Sequence, residues 1–149
     1  MAFVSKAVRV AAGEAFGPFQ RKRLVEAIEI AERQTGMHFP VYVGGVPGDL
    51  DTFVHDQLTD LTASLGEVAL IVVDPARRRL QIATSRSARA RLTDNACALA
   101  TLSMTTSFSL GDLTGGLVVG LRMLADATAP RSADHGRPTP TSATVTRGV

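Results

Sequence analysis

The chain is expected to fold as an α/β layered sandwich: a small mixed sheet containing a central hairpin, covered by about four helices. Three features predict this. Residues 68–73 read VALIVV, apolar at every position, as a strand does when helices cover both faces of its sheet. Asp74 and Pro75 then open a turn, and Leu80 and Ile82 alternate with Arg79 and Gln81 in a returning strand, so the two runs form a hairpin. Segments with helical apolar spacing precede and follow that hairpin, which is the element order of a layered domain.

Each element follows from local chemistry. Residues 20–35 carry Leu24, Ala27, Ile28 and Ala31 on one helical face, with Gly36 placed to stop the helix in a left-handed conformation. HFPVYV is a short strand, and Pro40, lacking an amide hydrogen, sits near its start or puts it at an edge. After the loop GGVPGDLD, Asp51 is the expected N-cap of a second helix whose buried stripe is Val54, Leu58, Leu61 and Leu65, with Gly66 as its stop. Beyond the hairpin, Thr93 is the expected cap of a third helix with a small apolar face at Ala96, Cys97 and Ala100. Asp112 caps a fourth, with Leu113, Leu117, Leu121 and Leu124 inward. On that last helix Gly116 and Gly120 lie four apart, a spacing that lets a helix approach its neighbour closely.

The 149 residues form one domain, expected to span 1–126, with a C-terminal tail at 127–149. The tail is rich in Thr, Pro, Ser and Ala and too poor in large apolar residues to offset its ordering entropy, so disorder is expected there. No apolar run approaches the roughly 20 residues that span a bilayer. The N-terminus lacks a continuous hydrophobic segment, and Cys97 is the sole cysteine, so the expected location is cytoplasmic, with the membrane periphery as alternative. The formal net charge of +2 comes from the tail, and residues 1–126 carry thirteen basic and thirteen acidic groups. A neutral folded part argues against nucleic acid as partner.

The helix ending ERQTG before PVYV, the hairpin IVVDPARRRLQIAT, the helix start RLTDNA and the close FSLGDLTGGLVVGL together resemble the TPM domain, over about residues 20–126. The chain looks most like an actinobacterial branch of uncharacterised proteins allied to that domain, and 14 Arg against 2 Lys suits a GC-rich genome. The resemblance implies an α/β fold. It also implies two functional expectations: an interaction domain that binds a protein partner or a cell-envelope component, or a divalent-ion-dependent acid phosphatase. The family's glycine-rich turn after the second hairpin strand reads ATSRSARARL here, without glycine, and the backbone freedom for close phosphate or metal approach goes with it.

The candidate site residues follow from residue type and place. Asp49, Asp51, Asp74, Asp94 and Asp112 fall at strand ends or helix starts, where loops build sites. Caps and turns explain Asp51, Asp94 and Asp112 most simply. Asp74 and Asp112 match the family's hairpin turn and last-helix start, so they are the catalytic candidates, and Asp49 joins them as a candidate ligand set for a divalent cation. No other cofactor is expected. Six arginines lie between residues 77 and 91, and Ser85, Arg86, Ser87 and Arg89 form a candidate site for a phosphate or carboxylate. His38, His55 and His135 have no ligand spacing. Cys97 reads as a packed thiol.

Overall fold

The computed structural model describes residues 8–10 and 17–131, in which four strands and five helices follow one another as β1 (Val8–Val10), α1 (Pro18–Thr35), β2 (Val41–Val43), α2 (Leu50–Leu65), β3 (Ala69–Asp74), β4 (Arg79–Thr84), α3 (Arg86–Arg89), α4 (Asp94–Ser109) and α5 (Leu113–Ala127). The sheet order is β1-β2-β3-β4. The first three strands are parallel and β3–β4 is the antiparallel hairpin, with Ile71 opposite Ile82 and Val73 opposite Leu80. The expected mixed sheet in an α/β layered domain is therefore present.

The all-apolar run sets the layers. Ala69, Ile71 and Val73 of β3 point into one core with Val41 and Val43, and there they meet Leu24 and Ile28 of α1, Ala100 and Met104 of α4, and Leu117, Leu121 and Leu124 of α5. Val68, Leu70 and Val72 point the other way and are covered by α2 through Val54, Phe53, Leu58, Leu61 and Leu65. Alternate residues of one strand thus build two cores. Tyr42 closes the thinner one, its ring 5.0 Å from that of Phe53 and its hydroxyl donating to the Gly45 carbonyl at 2.7 Å.

Several expectations need correction. Helix α1 starts at Pro18, whose fixed φ and missing amide hydrogen suit the first turn. Its stop is as expected, with Gly36 at φ 75°. Pro40 lies just ahead of β2, which is an interior strand, and its carbonyl accepts from Ile71 N–H at 3.0 Å. The cap of α2 is Asp49, two residues before the expected Asp51, because Asp49 is the residue in extended conformation whose carboxylate accepts from Thr52 N–H. The turn after β4 is a four-residue helix, α3, started by Ser85. Beyond α5, Ala129 N–H donates to the Arg91 carbonyl at 2.8 Å and Arg131 donates to the Gly36 carbonyl at 2.7 Å, while residues 132–149 of the expected tail lie outside the described residues.

Gly116 and Gly120 do what their spacing suggested. A Cβ at Gly116 would lie 2.8 Å from both Ser107 Cβ and the Phe108 ring, and one at Gly120 would lie 2.6 Å from Met104 Cγ, so α5 rests directly on α4. Replacing Gly by Ala in a helix gains about 1 kcal/mol from propensity, whereas forcing extra carbons into a packed interface costs about 1–3 kcal/mol. The larger side chain of Gly116→Val tips the balance. Chemical denaturation of Gly116→Val is expected to show a loss of about 2 kcal/mol or more, while Gly45→Ala, whose Cβ would meet nothing within 4 Å, stays near wild type.

Candidate functional site

The carboxyl ends of parallel strands are where loops of an α/β sheet usually converge on a ligand. Here that position holds Asp74, at the last residue of β3 and fully buried. Its Oδ2 accepts from Arg79 Nη2 at 2.7 Å, from Arg77 Nη1 at 3.2 Å and from Val46 N–H at 3.3 Å, and its Oδ1 accepts from Arg77 N–H at 3.4 Å. The same guanidinium groups donate to the Val46 carbonyl, each at 3.2 Å. One carboxylate therefore ties the β3–β4 turn to the β2–α2 loop. Burial pushes the Asp74 carboxyl upward, but the bonds from Arg79, Val46 and Arg77 outweigh it and hold the group below its usual value.

That arrangement does not fit a divalent ion. Two guanidinium groups already supply the positive charge beside Asp74, and all the other donors to it are N–H groups that would face a cation with the wrong sign. The other two candidate ligands serve helix starts: Asp49 accepts from Thr52 N–H and hydroxyl, both at 3.0 Å, and Asp112 accepts from Gly115 N–H at 2.9 Å. Asp49 opens α2 on one face of the sheet, and Asp112 opens α5 on the other. Among the described residues no three His, Cys, Asp or Glu side chains group so as to hold a metal.

The anion candidates separate in the same way. Ser85 is buried and accepts from Val68 N–H at 3.0 Å and Ala88 N–H at 3.4 Å, so its hydroxyl oxygen fastens α3 to the start of β3. Arg89 donates to the Thr84 carbonyl at 3.2 Å, and Arg86 and Ser87 are exposed. Cys97 is buried, and burial, aided by the Asp94 charge, pushes its thiol up to about 11, which keeps it protonated at neutral pH.

Sequence reasoning missed a second polar node. Arg91, one of the six clustered arginines, is buried and spends all three guanidinium nitrogens: on the Ala129 carbonyl at 2.8 Å, on Glu67 Oε1 at 2.6 Å and on the Thr35 carbonyl at 2.7 Å. Arg131 reaches the same Glu67 oxygen at 3.4 Å and the Gly36 carbonyl at 2.7 Å. Only the separation of these residues hid it, since Glu67 and Arg91 are 24 apart in the chain.

Two outcomes follow for Asp74. Removing one partner of a buried ion pair costs about 3–5 kcal/mol, so Asp74→Ala is expected to lose that much in a denaturant titration. Because the folded pKa is depressed, the carboxylate's contribution is complete above the unfolded value near 4 and disappears as pH falls through the folded pKa. The stability difference between wild type and Asp74→Asn should stay constant above about pH 5 and shrink below about pH 4.

The architecture has known counterparts. It is similar to the solution structure of the BA42 protein from the psychrophilic bacterium Bizionia argentinensis, with TM-score 0.66 and 20% identity over 83% of this chain and 91% of that one. It is also similar to the N-terminal domain of the cg2496 protein of Corynebacterium glutamicum, with TM-score 0.63 and 12% identity over 90% of this chain and 84% of the other. A third, the N-terminal domain of a P. gingivalis protein, gives TM-score 0.63 and 15% identity over 79% of each chain. At these identities the likeness shows the fold alone. No curated protein matches the sequence. A family model described as a domain of unknown function, DUF5130, matches residues 3–125, and the chain belongs to that family.

Proposed function

We propose that this protein is a non-catalytic interaction domain of TPM type, presenting its arginine-bearing hairpin tip to an acidic protein partner or cell-envelope component. One observation carries the reading: the buried carboxylate at the sheet's carboxyl edge is saturated by internal donors, while the turn it braces is held out to solvent. Arg77 is 60% exposed even while paired, and Arg78 beside it is exposed and sits at φ 55°, a conformation that costs a non-glycine residue about 1–3 kcal/mol. A rigid, cationic tip is the result. The divalent-ion phosphatase reading would need Asp74 to release both arginines first.

Among the described residues no helix is long and apolar enough to cross a membrane. The proposal places the chain in the cytoplasm, with its tip available to a partner in solution or at the membrane periphery.

Arg78→Gly tests the reading cleanly, because glycine adopts the same backbone conformation without a Cβ penalty. The variant is expected to be as stable as wild type or up to about 1 kcal/mol more so, yet to lose the partner captured by wild type from cell extract. Retained capture by Arg78→Gly, or hydrolysis of a generic phosphate ester by the wild-type chain that vanishes in Asp74→Asn, would refute it.

A further inference from the structure

Strand β4 ends the sheet, so one side of its backbone is bonded to β3 and the other faces away. Which groups face away follows from the bonds of β3. Ala69 and Ile71 donate their N–H groups to the His38 and Pro40 carbonyls, and the Val73 carbonyl accepts from Gly44 N–H, so these residues bond on the β2 side. Leu70 and Val72 therefore bond toward β4, opposite Ala83 and Gln81. Ser85 N–H, donating to the Val68 carbonyl at 2.8 Å, continues the same ladder. The alternation leaves the N–H and C=O groups of Leu80 and Ile82 directed outward, with no partner among the described residues.

Arginines stand at both ends of this open edge. One end is the hairpin tip with Arg77 and Arg78. At the other, the Thr84 carbonyl, which the same alternation directs outward, accepts from Arg89 Nη2 at 3.2 Å, and Arg86 nearby is exposed. Arg78, Arg86 and Arg89 make no ion pair among the described residues. Between the two ends the edge is neutral: residues 80–84 carry no charge, and α4, which packs beside β4, carries none from Asn95 to Leu110. At about 3.3 Å per residue, the run from Arg78 to Thr84 spans roughly 20 Å. A second copy of the chain does not suit this edge. Antiparallel pairing of Leu80 with Ile82 of another copy sets Arg78 opposite Thr84, and so beside Arg89, at both ends of the contact, where like charges oppose it.

We infer that the open edge of β4 receives, by strand addition, an extended segment of a partner protein with an uncharged centre and acidic ends. The centre exchanges backbone hydrogen bonds with Leu80 and Ile82, and the acidic ends pair with Arg78 at the tip and with Arg86 and Arg89 at the far end. In this mode main-chain bonds supply affinity and the flanking groups supply specificity. An open edge is a template for indiscriminate pairing, and cationic flanks restrict it to segments of opposite sign. The inference rests on the interaction reading proposed above, and adds the backbone of β4 to the arginine tip.

NMR of the full chain, reading amide shifts and hydrogen exchange, tests this with a synthetic peptide that has alternating threonine and valine at its centre and two aspartates at each end. In the free protein the Leu80 and Ile82 amides should exchange faster than those of Gln81 and Ala83, which are bonded to β3. Peptide should slow exchange at Leu80 and Ile82 about tenfold or more. N-methylating its central amides removes donors without changing charge, and should weaken binding about tenfold or more. Lysines in place of the aspartates should abolish binding. Arg78→Gly and Arg86→Glu, both at exposed positions and expected to keep the wild-type fold, should each weaken it about fivefold or more. No change at peptide concentrations up to about 1 mM overturns the inference, as does equal binding of the lysine-ended peptide. Binding that ignores N-methylation but is lost in Arg78→Gly also overturns it, while leaving the arginine tip as an interaction surface. Slowed exchange at Leu80 and Ile82 that is indifferent to both arginine substitutions overturns the charge pairing, and the tip reading with it.

Discussion

Strand β3 has to be buried on both faces and polar at both ends, and the rest of the structure is arranged to satisfy it. Its six residues are wholly buried, so helices must lie above and below. At its carboxyl end stands Asp74, closed by Arg79 and Arg77. At its amino end stands Glu67, closed by Arg91 and Arg131. Each end of the central strand is thus one acid held by two arginines. The lower clamp also gathers the ends of α1 and α5, through the Thr35 and Ala129 carbonyls, and the upper one gathers the loop entering α2, through Val46. Two ion clusters therefore place three of the helices relative to one strand.

Much of this was legible in the chain. The run 68–73, the turn at Asp74 and the two late helices with caps at Thr93 and Asp112 all rest on local chemistry: apolar periodicity, turn residues and capping side chains. What failed was non-local or too short to have a period. Strand β1 has three residues and α3 has four, below the length at which any repeat emerges. The choice between Asp49 and Asp51 as cap of α2 depends on where the backbone turns helical, and two aspartates two apart look alike to any spacing rule. The arginine run was the most misleading feature. As sequence it is an anion site or a solvated turn. In the fold, Arg77 and Arg79 belong to one clamp and Arg91 to the other, at opposite ends of β3, and no pattern within residues 77–91 reports a carboxylate on another element.

The same fact bears on function. A carboxylate at the edge of a sheet is ambiguous in sequence because metal ligand, acid–base group and ion-pair partner all call for the same residue type. The donors decide. Asp74 receives only N–H groups, two of them from guanidinium ions, so its negative charge is already matched inside the domain. Asp49 and Asp112 are similarly matched to amides at helix starts, where a carboxylate also meets the favourable end of the helix dipole. With these three carboxylates held by internal donors, the exposed arginine tip is the feature of the sheet's carboxyl edge that faces solvent, and the proposed interaction rests on it.

Buried ion pairs are an expensive way to stabilise a fold, because removing two charges from water costs several kcal/mol per ion and the attraction regained often only breaks even with apolar packing. Their value lies in direction. An apolar side chain at position 74 would pack against β2–α2 in many orientations, whereas the carboxylate accepts from Val46, Arg77 and Arg79 in one. This matters most at a glycine-rich loop such as GGVPG, where Gly48 at φ 71° gives the backbone freedom and little else restricts it. The clamp removes that freedom on one side of the turn and, through the bonds of Arg77 and Arg79, fixes the tip on the other. Arg78 can then hold its strained conformation because its neighbours on both sides are anchored, which is how a solvent-facing tip acquires a single shape.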